Sequence, residues 1–286
     1  MSSPPVVLTI AGSDNSAGAG AQADLKTLSA LGVYGVTAIT CVVAEVPGKV
    51  SAIQPIEPHI VAEQIRLLFE AFPIAAVKTG MLYSREIITA VVAALDEVKV
   101  QTPNSKIPLV VDPVMVATSG DPLLQADAIA LYRERLFPLA TLITPNLDET
   151  RTLLGRPVTS LDEMRRAGEE LTARFGVPIL IKGGHLRGPV AADLLFADGE
   201  VVEFSAPFVP GVFTHGTGCT YSAAIAAGLG KGLVLRAAVA EAKQFVTAAL
   251  TNFLRWEKDG RTTDALDHFA SHDFKQRAEP RDSAGA

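Results

Sequence analysis

The sequence predicts an α/β protein whose mainly parallel sheet is covered by helices on both faces. Three observations lead there: short apolar runs alternate with amphipathic stretches, a glycine-rich loop follows the first apolar run, and an Asp198-Gly199 pair separates two short strand-like segments late in the series. Strands joined through helices make right-handed crossovers and run parallel, whereas strands joined by a two-residue turn run antiparallel. The expected sheet is therefore mainly parallel, with an antiparallel hairpin at one edge.

Residues 6–11 read as a buried strand, 12–20 as the glycine-rich loop and 21–31 as a helix with apolar positions at helical spacing. A strand at 34–43, a helix at 58–72, a strand at 75–78 and a helix at 84–98 follow. The alternation continues with a strand at 109–112, a helix at 126–136, a strand at 141–144, and helices near Asp148 and at 161–175. The strand 178–181 precedes the hairpin of 192–196 with 201–204. A small-residue helix at 220–228 and a long helix at 235–256 close one domain spanning 1–256. The polar residues 257–286 are expected to fray as a tail.

Nearly half of the 286 residues are apolar, yet none of their runs is long enough to span a bilayer, so no membrane partner is expected. A net charge of −6 without a basic cluster argues against nucleic acid. The first residues lack a charged segment, apolar stretch and cleavage site, which makes the cytoplasm the expected location. Cys41 and Cys219 lie far apart without metal-ligand spacing and read as thiols.

The chemistry concentrates where strands give way to loops, the place where open α/β sheets bind ligands. Thr214-His215-Gly216-Thr217-Gly218-Cys219-Thr220 runs straight into a helix, so its small residues bare backbone amides at a helix N-terminus, an arrangement suited to an anion. The loop of residues 11–24 holds Gly12, Gly18 and Gly20 but lacks the Lys-Ser/Thr ending of a P-loop. Asp24 then falls in the first turn of a helix, where a carboxylate is favoured with or without a ligand and can accept hydrogen bonds from a polar substrate. Val110-Val111-Asp112-Pro113 ends an apolar strand in an acid, and Thr144-Pro145-Asn146-Leu147-Asp148-Glu149 places an acid just inside a helix. Mg²⁺ takes one or two carboxylates and keeps its waters and phosphate oxygens, which suits Asp112 and Glu149. Asn146 reads equally as a helix cap. In Ile181-Lys182-Gly183-Gly184-His185 a lysine able to contact phosphate precedes glycines that allow close approach. His185 and His215 belong to no metal-ligand pattern, and neither is given a catalytic role.

Gly12-Ser13-Asp14 with Gly18-Ala19-Gly20, Lys78-Thr79-Gly80-Met81, Asp112-Pro113-Val114-Met115, Thr144-Pro145-Asn146 with Glu149, Lys182-Gly183-Gly184-His185 and His215-Gly216-Thr217-Gly218-Cys219 occur in one order. Together they resemble the hydroxymethylpyrimidine and phosphomethylpyrimidine kinases of thiamine biosynthesis, over residues 6–253. The resemblance implies a three-layer α/β/α ribokinase-like fold, ATP with Mg²⁺, a homodimer, and two successive phosphorylations of 4-amino-5-hydroxymethyl-2-methylpyrimidine. It further implies that Gly12, Asp24, Glu45 and Met81 bind the pyrimidine and that Asp112, Asn146, Lys182, Gly183 and Thr214 bind ATP. Asp112 and Glu149 would hold the metal, and Gly216, Thr217, Gly218 and Cys219 would form the anion hole.

At Cys219 a helix N-terminus is expected to lower the thiol's pKa, making it a proton acceptor for the first transfer. The second transfer uses a phosphate already mostly ionised and needs no base; a neutral thiol there would not repel it. One position departs from the family pattern: Ala44-Glu45-Val46-Pro47 stands where the family typically has Ala-Gln-Asn-Thr. A carboxamide both donates and accepts, whereas an ionised carboxylate only accepts, so Glu45 must be protonated to pair like an amide or must meet a ring bearing a donor. Pyridoxine or pyridoxal kinase is therefore the alternative enzyme. A non-catalytic pyrimidine sensor is the alternative of another class, disfavoured because a mere binder has no use for a transition-state anion site.

Overall fold

A computed structural model describes residues 3–101, 107–115, 124, 128–184, 186, 188–212 and 215–270. The first strand, β1 (Val6–Asp14), is buried along nearly its whole length, as expected of a central strand covered on both faces. It feeds α1 (Gly20–Ala30), and β2 (Tyr34–Val46) returns parallel to it. Next come β3 (Lys49–Pro55), α2 (Pro58–Ala71), β4 (Ile74–Thr79), α3 (Arg85–Gln101) and β5 (Leu109–Val111). A short α4 (Ala128–Leu131) continues through a π-helical turn at Tyr132–Leu136 and a 3-10 turn at Phe137–Leu139 into β6 (Leu142–Ile143). Then follow α5 (Leu147–Leu154), α6 (Leu161–Phe175), β7 (Ile179–Lys182), β8 (Val190–Ala197) and β9 (Glu200–Pro207). The chain ends its described part with α7 (Thr217–Gly230), α8 (Leu235–Thr251), β10 (Leu254–Lys258) and β11 (Arg261–Ala265).

Strands β1 to β9 form one sheet in the order β3-β2-β1-β4-β5-β6-β7-β8-β9. From β2 to β7 neighbours run parallel, and β8 and β9 are antiparallel at one edge, as the Asp198-Gly199 turn predicts. Alternate residues of β1 serve opposite layers. Leu8 and Ile10 pack with Ile65 of α2, Val91 of α3 and Leu171 of α6, while Val7 packs with Leu28 of α1, Ile225 of α7 and Val246 of α8. The result is the three-layer arrangement expected. Because β1 has β2 on one side and β4 on the other, the connections leaving β1 and β4 diverge, opening a crevice at their carboxyl ends.

Two expectations need correction. The second sheet edge is also antiparallel: β3 pairs with β2 through a turn at Pro47-Gly48, where Gly48 has φ 82°. Its alternation is too weak to announce a strand, since most of β3 is exposed. The long final helix stops at Thr251, not at 256, and the expected tail begins as a hairpin, β10 against β11, turning at Asp259-Gly260. Both turn residues have positive φ, 51° and 71°, the geometry that suits a two-residue hairpin loop. Leu266 and His268 beyond it are buried. Residues 271–286, and 126–127 of the expected fourth helix, lie outside the described residues.

Candidate functional site

The carboxyl ends of β1, β4, β5 and β7 and the amino ends of α5 and α7 meet around one cavity of about 250 Å³. Gly12, Glu45 and Met81 line one end; Asp112, Asn146, Glu149, Lys182 and the run Gly216, Thr217, Gly218 and Cys219 line its middle. Beyond them it reaches Asp193, Phe208, Lys243 and Leu250.

The anion loop owes its shape to Gly216, the residue that caps α7 with φ 81° and no side-chain hydrogen bond. A Cβ there would collide with the carbonyl oxygen of Gly18, so only glycine lets the two loops touch. Gly216 brings no side chain to cap them, and Thr217, Gly218 and Cys219 of the first turn of α7 line the cavity, the arrangement that suits an anion at a helix N-terminus. Gly218 brings this turn against Asp112 and Lys182: a Cβ on it would stand 3.2 Å from Lys182 Nζ and 3.7 Å from Asp112 Oδ2.

Lys182 Nζ donates to Asp112 Oδ1 at 2.8 Å, Thr144 Oγ1 donates to the same oxygen at 3.1 Å, and Ser222 Oγ donates to Oδ2 at 3.1 Å. Burial opposes the Asp112 charge, but the Lys182 and Lys78 ammonium groups and these hydrogen bonds hold its carboxyl below the usual range. Asn146 and Glu149 form a reciprocal cap on α5, with Glu149 Oε2 accepting the Asn146 amide at 2.7 Å and Asn146 Oδ1 accepting the Glu149 amide at 2.8 Å. Burial, aided by Asp112, pushes Glu149 up to about 8 against the pull of Lys182. Two buried carboxylates thus share a cavity with a lysine and a helix N-terminus. This donor set fits a hydrated Mg²⁺ carrying phosphate: Glu149 Oε1 takes no part in the cap, and a cation would favour the ionised form that burial disfavours.

Two predicted positions, Asp24 and Gly183, stand differently from expectation. Asp24 is fully buried and lies behind the cavity wall, where its Oδ2 accepts from Lys78 Nζ at 2.7 Å and from Thr9 Oγ1. Lys78, not Asp24, lines the cavity. Burial opposes the lysine's charge, but the Asp24 carboxylate, joined by Asp112, more than offsets it and keeps Lys78 charged. Asp24 Oδ1 has no hydrogen-bond partner among the described residues. Gly183 gives its amide to Asp193 Oδ1 at 2.9 Å, and a Cβ on it would strike the Ala192 carbonyl; it serves strand packing, while Gly184 reaches the cavity. Thr214 lies outside the described residues, as does His185.

The Cys219 thiol is corrected more sharply. Burial pushes it up to about 12; Lys78 pulls it down, but Asp24 and Asp112 add to the rise. Dehydration therefore defeats the helix terminus, and Cys219 is a neutral thiol at physiological pH.

Sequence reasoning gave no role to Asp14, Lys78, Thr144, Ser222 or His215. Asp14 accepts from the Ser16 amide at 2.7 Å, the Ala19 amide at 2.8 Å, Ser16 Oγ at 3.0 Å and His215 Nε2 at 3.0 Å. It therefore ties the first loop to the anion loop. Although burial raises Asp14, the hydrogen bonds from His215, Ser16 and Ala19 prevail and lower it. Glu45 joins this group, with one ligand atom of each residue within 4.8 Å of the others. Because both Asp14 oxygens already accept hydrogen bonds, the group reads as a loop latch more than a metal centre. Burial and the Asp14 charge push half-buried Glu45 up, against His215. A lysine inside a buried strand was the one local signal available, at Lys78.

The sequence model of the phosphomethylpyrimidine kinase family matches residues 14–264. A hydroxymethylpyrimidine/phosphomethylpyrimidine kinase from Rhizobium meliloti is 43% identical over 89% of this chain and 99% of its own length. A thiamine biosynthesis bifunctional protein from Geobacter sulfurreducens is also 43% identical over 85% of this chain, which spans 49% of that longer protein. Among solved structures, a phosphomethylpyrimidine kinase from Clostridium difficile is 39% identical with a TM-score of 0.73, covering 86% of this chain and 99% of its own. An ADP complex of Bacillus subtilis pyridoxal kinase is 35% identical with a TM-score of 0.82, covering 94% and 98%.

Proposed function

Because the chain belongs to the phosphomethylpyrimidine kinase family, we propose that it phosphorylates hydroxymethylpyrimidine from ATP and then converts the monophosphate to the pyrophosphate, in thiamine biosynthesis. The observation that carries this reading is the shared cavity, in which the glycine-capped amino end of α7 faces Asp112 and Lys182 beside the pocket of Gly12, Glu45 and Met81.

Phosphoryl transfer asks the protein for position and charge stabilisation more than for covalent chemistry. In this reading the amino end of α7, at Gly218 and Cys219 with Thr217, receives the transferring group as its charge grows. Lys182, held by Asp112, supplies a fixed positive charge at the same place. A bound Mg²⁺ would neutralise phosphate charge, held by Asp112 and Glu149. The far arm of the cavity, with Phe208, Val246 and Leu250 in its wall, offers the apolar surface that a nucleotide base requires.

The acceptor end is formed by Gly12, Glu45 and Met81, with Lys78 in its floor. Its position fits an acceptor oxygen pointing at the anion loop. In the first step that oxygen belongs to a hydroxymethyl group; in the second it belongs to a phosphate monoester. A neutral Cys219 does not repel the incoming phosphate, which supports one site for both steps. Burial and Asp14 raise the Glu45 pKa, which eases the protonation a carboxyl needs to pair with the aminopyrimidine as a carboxamide would. The B6 vitamers are the second reading, favoured by Glu45 itself and by the pyridoxal kinase likeness. A homodimer is the assembly we propose.

The deciding experiment supplies Mg-ATP with hydroxymethylpyrimidine, its monophosphate, or pyridoxal, and identifies products by mass. Conversion of the monophosphate to pyrophosphate is the expected result. Phosphorylation of pyridoxal with neither pyrimidine consumed would overturn the assignment.

A further inference from the structure

After β11 the chain folds back beneath the anion loop. His268 is 3% exposed, and its Nε2 lies 3.0 Å from Oγ1 of Thr220, the fully buried residue that directly follows Cys219. The Thr220 amide in turn donates to the Gly216 carbonyl, closing the first turn of α7. The backbone of Leu266 bonds the ring as well. Burial, reinforced by the Lys26 charge and countered by Leu266 and Asp267, pushes the imidazole down to about 4, so it is neutral. A neutral ring that bonds the Leu266 backbone leaves Nε2 to accept from the Thr220 hydroxyl.

The segment that carries His268 is itself fastened. The Asp267 amide donates to the Ala249 carbonyl of α8 at 3.2 Å, and Arg255 clasps Asp264 through two hydrogen bonds of 2.7 and 2.8 Å across the hairpin. The anion loop is latched at its start, where His215 bonds Asp14. It contains two glycines, 216 and 218, and Gly216 brings no side chain to cap the helix start, so the turn relies on tethers to neighbouring segments: His215 to Asp14 on one side and Thr220 to His268 on the other.

We propose that His268 is a positioning residue for phosphoryl transfer: through Thr220 it tethers the first turn of α7 to the C-terminal segment and so holds the anion-binding amides in line. The inference rests on the kinase reading above. It gives the segment after β11, beyond the residues that carry the family match, a part in the reaction without contact with substrate. Transition-state binding depends on placement to within about half an ångström, so slackness in this turn costs rate before it costs substrate affinity.

The test uses the full chain with both acceptors. His268→Ala and Thr220→Val should each lower kcat for both transfers about tenfold, the loss of one buried hydrogen bond expressed in the barrier, with acceptor KM within twofold. The double variant should lose no more than either single one, and Thr220→Ser, which keeps the hydroxyl, should retain the wild-type rate. Thermal melting of each variant separates lost fold from lost alignment. The proposal is overturned if His268→Ala keeps kcat within twofold, if the two losses multiply, or if the whole loss is explained by the unfolded fraction. A wild-type chain that transfers phosphate to no acceptor would instead refute the kinase reading, before any variant is compared.

Discussion

Replacing Gly218 by alanine separates catalysis from stability at one atom. Gly218 has none of the positive φ that would exclude a side chain, and its added methyl would stand 3.2 Å from Lys182 Nζ and 3.7 Å from Asp112 Oδ2. Lys182 can yield a few tenths of an ångström, while alanine in a helix gains up to about 1 kcal/mol over glycine. These effects oppose one another, so stability should change by no more than about 1 kcal/mol, roughly 2–4 °C in Tm. The catalytic effect is one-sided. The methyl fills the angle between the helix amides, Lys182 and Asp112 in which the transferring group must sit. Loss of a single such donor costs about 2.7–4 kcal/mol, a fall of about 100- to 1000-fold in kcat. Steady-state release of ADP with each acceptor, alongside thermal melting, reads both quantities. A folded Gly218→Ala protein whose kcat stays within threefold of wild type for both transfers would refute the placement of the anion site. Gly216→Ala is the contrasting control: its Cβ meets the Gly18 carbonyl at φ 81°, so it should lose stability and activity together.

Three further outcomes are expected. Glu45→Gln should shift the ratio of kcat/KM for hydroxymethylpyrimidine over pyridoxal at least fivefold toward the pyrimidine at pH 8, since a carboxamide needs no proton to pair with it; an unchanged ratio means that Glu45 does not read the ring. Cys219→Asp should damage the second transfer at least tenfold more than the first, because a carboxylate repels the phosphate acceptor that a neutral thiol admits; equal damage to both counts against that account. Glu149 is raised to about 8 in the fold, so its proton stabilises the metal-free protein fully below the unfolded value near 4.5, and that contribution is lost as pH rises through 8. Glu149→Gln should therefore gain Tm relative to wild type as pH climbs from 5 to 8, with saturating Mg-ATP narrowing the difference; a gap that is flat with pH would mean Glu149 is not protonated in the fold.

The residue pattern by itself determined the layered α/β fold and where its chemistry would lie. Strand and helix periods are local properties, and glycine runs or acids at the ends of apolar strands mark loops at the sheet's carboxyl edge. Asp112, Asn146, Glu149, Lys182 and the 216–219 loop were therefore legible before any contact was known. Other features were decided only by tertiary structure. Asp24 looked like a pocket residue, but Lys78, 54 positions away, claims it in a buried pair. Gly183 looked like a phosphate approach, but the neighbouring strand occupies the space beside it. The two unforeseen hairpins depend on partners for exposed, weakly patterned segments. The charge state of Cys219 reversed because the helix terminus that favours a thiolate is local, whereas the desolvation that opposes one comes from the cavity wall assembled around it. The bond of His268 to Thr220 joins residues 48 apart. Short-range order is written into spacing; dehydration and pairing across the fold arise only when distant segments exclude water together.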